Sequence, residues 1–142
     1  VTYETRVRIE APPERIWAVL ADVAAWPRWT ASMREVTPLS GAALAAGARV
    51  RIRQPRLPAA EWEVTRWAPG RGFTWVSRNP GLTVTADHLL DPAPDGATTL
   101  TLALRHRGPL APVLRLLTGA LTRRYLALEA AGLRRAAEQG PG

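Results

Sequence analysis

The chain has no cysteine, so disulfide staples, thiolate metal ligands and thiol nucleophiles are excluded from the outset. It has only two histidines, and no carboxylates cluster beside them at ligand spacing, so no metal centre and no cofactor are expected. Lysine is missing as well: all 19 basic residues are arginine. No stretch approaches the roughly 18 uninterrupted apolar residues of a membrane span. The opening run Val1 to Glu10 alternates charged and apolar residues, which does not read as a secretory leader. A soluble, cytoplasmic protein is the expectation. Neither an internal repeat nor a linker-like tract interrupts the 142 residues, a length that suits one domain able to bury a core unaided. That domain is expected over residues 1–139, with 140–142 as a disordered tail.

What the chain does have is positive charge, +7 at neutral pH with a pI near 11.4. Such a balance permits a polyanionic partner, but the arginines are scattered. Arg6 and Arg8, Arg49 to Arg53, Arg115, Arg123 and Arg124, and Arg134 and Arg135 lie on different segments. A solvated basic surface is the simpler reading, with no nucleic acid as partner.

Tyr3, Thr5, Val7 and Ile9 alternate with charged residues, which gives a first strand with one wet face. Ala11-Pro12-Pro13-Glu14 stops it and opens a helix, since Pro is tolerated in the first turn and Glu favours the helix N-terminus. Asp22 is placed to cap a second short helix, on which Trp26 and Trp29 are spaced to share a face. Next come a strand over residues 35–39 and a loop containing Gly41 and Gly47. A meander then runs around Val50/Ile52, Trp62/Val64, Phe73/Trp75/Ser77, Leu82 to Leu90 and Thr98 to His106. Turns at Pro69-Gly70-Arg71-Gly72, Asn79-Pro80-Gly81 and Asp95-Gly96 separate these strands and imply antiparallel neighbours. From Pro109 the period becomes helical. Leu110, Val113, Leu114, Leu117, Leu121, Tyr125 and Leu128 make an apolar stripe that runs to about Glu138, long enough to lie across a sheet.

This order resembles the START-like, or birch-pollen-allergen-like (SRPBCC), superfamily. The run IEAPPERIWAVLADVAAWPRW over Ile9 to Trp29 is similar to the signature of its polyketide cyclase/dehydrase branch. Gly47-x-Arg49-Val50, Val64-Thr65-x-Trp67-x-Pro69, Phe73-x-Trp75, Asp87-His88-x-Leu90, Asp95-Gly96 and Gly108-Pro109-Leu110 match it further along. The resemblance implies an α+β helix-grip fold, in which a curved seven-stranded antiparallel sheet wraps a long C-terminal helix, with two short helices between strands one and two. It also implies an apolar cavity between sheet and helix. Aromatase/cyclases of the branch depend on a cavity Arg on the fourth strand and a Tyr beyond the Trp-Pro motif. This chain has Met33 at the place of that Tyr and Trp67 at the place of that Arg, with Arg66 beside it.

Alternation places Leu82, Val84, Ala86, His88 and Leu90 on one face, and Leu100, Leu102, Leu104 and His106 on another. Both rows are expected to face the cavity. His88 is the candidate proton shuttle, because an imidazole changes protonation within the physiological range; the competing reading is a core histidine satisfied by a backbone carbonyl. Pairing around Asp95-Gly96 sets His88 near Leu102 and His106 near Val84, so the two histidines form no dyad, and Asp87 points away from His88. Trp26, Trp29, Trp62, Phe73 and Trp75 make an aromatic wall suited to a flat ligand, or simply pack the core. Arg66, on the same side as Trp62 and Val64, is a candidate to steady an enolate oxygen, with surface exposure as the alternative. Ser77 and Tyr125 offer hydroxyl contacts, and Met33, Leu117 and Leu121 complete the expected ligand contacts.

The leading expectation is a protein that binds an apolar small molecule, aromatic or polyketide-like, as a monomer or homodimer. A cyclase, dehydratase or isomerase using His88 is the first alternative. A protein- or ribosome-binding module with a filled interior is the second.

Overall fold

The computed structural model describes residues 2–40 and 44–139; Val1, Gly41 and the expected tail at 140–142 lie outside the described residues. Seven strands form one antiparallel sheet in the order β1-β7-β6-β5-β4-β3-β2. They are β1 (Thr2–Ile9), β2 (Glu35–Pro38), β3 (Arg49–Arg53), β4 (Ala60–Ala68), β5 (Gly72–Asn79), β6 (Leu82–Pro92) and β7 (Thr98–Arg107). From β2 onward each strand pairs with the next, as the short turns require. The first strand pairs instead with the last, Val7 against Leu100, so the chain crosses the sheet's whole width between β1 and β2. Helix α1 (Pro13–Ala21) and a 3-10 helix (Val23–Arg28) make that crossing. Pro12 and Pro13 start α1 as expected. Asp22 links the two helices, but its side chain makes no capping hydrogen bond. The junction is held by the Trp26 indole N–H, which donates to the Leu20 carbonyl at 3.0 Å.

The 28-residue helix α2 (Ala111–Glu138) closes the concave side of the sheet. Its two halves do different work. Ala130, Leu133 and Ala137 of the C-terminal half join Ile16, Leu20, Trp26, Leu90 and Leu100 in the core. Gly132 fits this crossing because a Cβ there would run into the Trp29 carbonyl oxygen. Nearer the start of the helix, Gly119 passes the Tyr3 hydroxyl, which a Cβ would meet at 3.2 Å. These two close approaches fix the rotation of α2 about its axis, and the outcome differs from the stripe read in sequence. Leu110, Val113 and Leu117, expected to face the sheet, are exposed. Leu110, Leu114 and Tyr125 of that stripe do line the cavity, but the inward ridge between them runs through Thr118 and Thr122 instead of Leu117 and Leu121.

Candidate functional site

Between the sheet and α2, from Leu114 to Glu129, lies a cavity of about 390 Å³. Strands β5, β6 and β7 supply its floor through alternate residues, because side chains two apart share a face. Ser77, Val84, Ala86, His88 and Leu102 all line it, as their alternation requires. Met33, Trp26, Trp62 and Trp75 form the wall towards the short helices and β4, and Tyr125 forms part of the roof. The His88 to Leu102 and Val84 to His106 pairings are those expected from the Asp95-Gly96 turn. The interior beneath α2 is therefore hollow, not filled as the protein- or ribosome-binding alternative requires.

Five of the expected contacts fall elsewhere. Arg66 is exposed, because β4 is irregular between Val64 and Arg66 in its pairing with β5. A bulge there adds one residue to the strand and turns the residues beyond it to the opposite faces, so Trp67, not Arg66, points inward against Trp17 and Phe73. Leu117 is 73% exposed, and Leu121 is half-buried without lining the cavity; both result from the rotation of α2. Trp29 packs behind Trp26 with ring centroids 5.5 Å apart, one layer away from the cavity. Phe73 is fully buried under the His88 ring, stacked at 4.3 Å with an interplanar angle of 13°.

Where it does not line the cavity, His88 is enclosed by aromatic rings. Its ring meets Trp75 edge-on at 5.3 Å and Trp26 at 5.6 Å, and only 3% of the residue is exposed. Nδ1 lies 3.4 Å from the Phe73 carbonyl oxygen. That oxygen can only accept, so the geometry assigns the Nδ1 hydrogen to this contact. Nε2 then points at Glu129 of α2, whose Oε1 is 3.6 Å away. Oε1 is buried and has no hydrogen-bond partner among the described residues. An acceptor nitrogen facing an acceptor oxygen is favourable only when a hydrogen lies between them, carried by the pair or brought by a ligand O–H.

Glu129 is the buried polar residue of the cavity that sequence reasoning missed. A signal for it exists: Tyr125, Glu129 and Leu133 recur at four-residue spacing, which sets a carboxylate on the buried face of α2. Tyr125 donates its hydroxyl hydrogen to the Pro55 carbonyl and so ties α2 to the β3–β4 connection. Thr118 and Thr122 donate their hydroxyl hydrogens to the Leu114 and Thr118 carbonyls, at 2.8 and 2.9 Å, which leaves only acceptor capacity facing inward. His106 lies edge-on to Tyr3 at 5.7 Å, and burial lowers its pKa below the ordinary 6.5. Among the described residues no group of His, Asp and Glu could hold a metal, and no helix is long and apolar enough to cross a membrane.

A curved antiparallel sheet closed by one long helix over an apolar cavity defines a helix-grip protein of the START-like, SRPBCC kind. The family model described as "Polyketide cyclase / dehydrase and lipid transport" matches residues 1–138, and the chain belongs to that family. Solved structures agree on the fold. The Zhui aromatase/cyclase of a Streptomyces species superposes with a TM-score of 0.80 at 18% identity, covering 98% of this chain and 94% of that one. TTHA0849 of Thermus thermophilus gives 0.77 at 16% identity, covering 96% and 97%. Norcoclaurine synthase of Thalictrum flavum, in complex with dopamine and hydroxybenzaldehyde, gives 0.78 at 8% identity, covering 100% and 88%. No curated protein matches the sequence.

Proposed function

We propose that the chain binds an apolar small molecule, aromatic or polyketide-like, with a hydroxyl or enol group directed at His88 and Glu129. The observation that carries this reading is the buried Glu129 Oε1, unpartnered among the described residues, lining a cavity whose other walls are largely aliphatic and aromatic. Burying the ligand's apolar surface supplies the affinity, at about 25 cal/mol per Å², and the His88–Glu129 pair chooses its orientation. Two relatives by fold, an aromatase/cyclase and a synthase solved in complex with dopamine and hydroxybenzaldehyde, are consistent with such a ligand.

The test uses calorimetric titration with 2-naphthol and with its methyl ether, which has the same rings and no donor. Binding of the naphthol at least about tenfold tighter than the ether, with the preference abolished in Glu129→Gln, is the expected result; tenfold corresponds to about 1.4 kcal/mol. Equal affinity for both compounds in the unaltered protein removes the His88–Glu129 pair from recognition.

Turnover is the second reading, favoured by one observation: the His88–Glu129 pair can take a proton from a ligand hydroxyl or enol and return it to a nearby atom. A cyclase, dehydratase or isomerase of this kind has a pH–rate profile with an inflection that His88→Ala abolishes. Unchanged turnover in that variant takes His88 out of the mechanism.

A further inference from the structure

The rotation that turns Leu114 and Thr118 towards the cavity turns a different set of side chains out to water. Leu116 is 86% exposed, Leu117 73%, Val113 51% and Leu110 46%. At spacings of three and four residues, Val113, Leu116 and Leu117 share one helix face. Four large aliphatic side chains exposed within about two turns of helix are more than scattered surface apolarity accounts for. Leu110 belongs to both sets, since it also lines the cavity. The exposed patch therefore runs without a break into the cavity mouth.

Along the chain, the charge on either side of this patch has one sign. From Gly96 to Leu128 the sequence holds no acidic residue, while Arg105, Arg107, Arg115, Arg123 and Arg124 fall within it, all exposed. Arg105, Arg107, Arg115 and Arg124 enter no ion pair among the described residues, and Arg123 lies over the Tyr3 ring, 5.3 Å from its centroid. An apolar helix face flanked along the chain by arginines and by no acidic residue is the pattern of a segment that lies in the interface of an anionic bilayer. A second copy of this chain is a poorer fit, because a two-fold contact through the patch sets arginines against arginines.

We propose that the N-terminal half of α2 docks on an anionic membrane surface, with Val113, Leu116 and Leu117 entering the acyl boundary and the flanking arginines meeting the headgroups. In that pose the cavity mouth beside Leu110 opens towards the lipid, so that an apolar molecule passes between bilayer and cavity without crossing bulk water. Docking itself is independent of what the cavity holds.

Cosedimentation with vesicles tests it. Vesicles of phosphatidylcholine containing about one-third phosphatidylserine should retain the protein at least about tenfold more strongly than phosphatidylcholine alone, and added salt should weaken the retention. Leu116→Ser with Leu117→Ser should lower binding to the anionic vesicles by about tenfold or more. Both side chains are exposed and outside the cavity, so the doubly substituted protein should keep the wild-type melting temperature and 2-naphthol affinity. Absence of binding to anionic vesicles overturns the proposal and leaves an acidic protein as the partner of the arginines. Equal vesicle binding by the variant overturns it too. So does a dimer in sedimentation velocity that the two serines dissolve, which assigns the patch to a second copy.

Discussion

At the scale of single residues, Glu129 works against the stability of the protein. Its carboxyl group is buried with Oε1 unpartnered among the described residues, and a buried acceptor left unsatisfied costs about 1 to 3 kcal/mol. Glu129→Met, of similar length and without the polar atoms, should therefore stabilise the fold by about 1 to 2 kcal/mol. Urea unfolding measures the gain, and loss of the preference for 2-naphthol over its ether should accompany it. A stability loss in this variant shows instead that the carboxyl group is held by its His88 contact. His106 carries a pH dependence with a definite sign. Burial lowers its folded pKa below 6.5, so the unfolded chain binds the proton more readily. Its contribution to stability is complete above about pH 6.5 and is lost as pH falls from there towards the lowered value. His106→Gln should flatten the stability profile in that window, and an unaltered slope between about pH 5 and 7 refutes the assignment.

At the scale of elements, the placement of α2 depends on two positions that lack a side chain. Gly132→Ala brings a methyl group against the Trp29 carbonyl and should destabilise by about 1 to 3 kcal/mol through overpacking, although Ala is the better helix former by about 1 kcal/mol. A melting temperature at or above wild type in this variant contradicts the close crossing. The same contacts explain where sequence reasoning succeeds and where it stops. Strand periodicity places Val84, Ala86, His88 and Leu102 on the cavity face, because a period of two leaves no freedom once one residue is placed. The helix is legible as a helix, but its rotation is not. Val113 and Leu117 are as apolar as Leu114 and Leu121, and the choice among them is made by glycine contacts with residues distant in sequence. Arg66 departs from expectation for a related reason. The irregularity between Val64 and Arg66 leaves no mark in a Val-Thr-Arg-Trp run, yet it reverses every residue beyond it. Glu129 is legible only once the helix face is known, because a single acid on a leucine-rich helix otherwise reads as a solvated position.

At the scale of the whole molecule, the net charge of +7 is distributed in two ways. Along several strands arginines are partly neutralised, as in Arg8 with Glu10 and Asp95, Arg49 with Glu61 and Arg78 with Glu63. Such exposed pairs contribute little to stability, but they cancel the field locally. From the end of β7 to the middle of α2 the described residues show no such cancellation, and it is there that the cavity opens and the aliphatic patch lies. Scattered in sequence, the arginines are not scattered in effect.

The division of α2 into residues that pack the core and residues that roof the cavity has an evolutionary corollary. Leu133 and Ala137 anchor the fold without touching the cavity, whereas Leu114, Thr118 and Thr122 touch it without joining the core. Substitutions in the second group can alter which compound is accepted while the melting temperature stays near its original value. A lineage built this way is free to change its chemical preferences faster than its architecture.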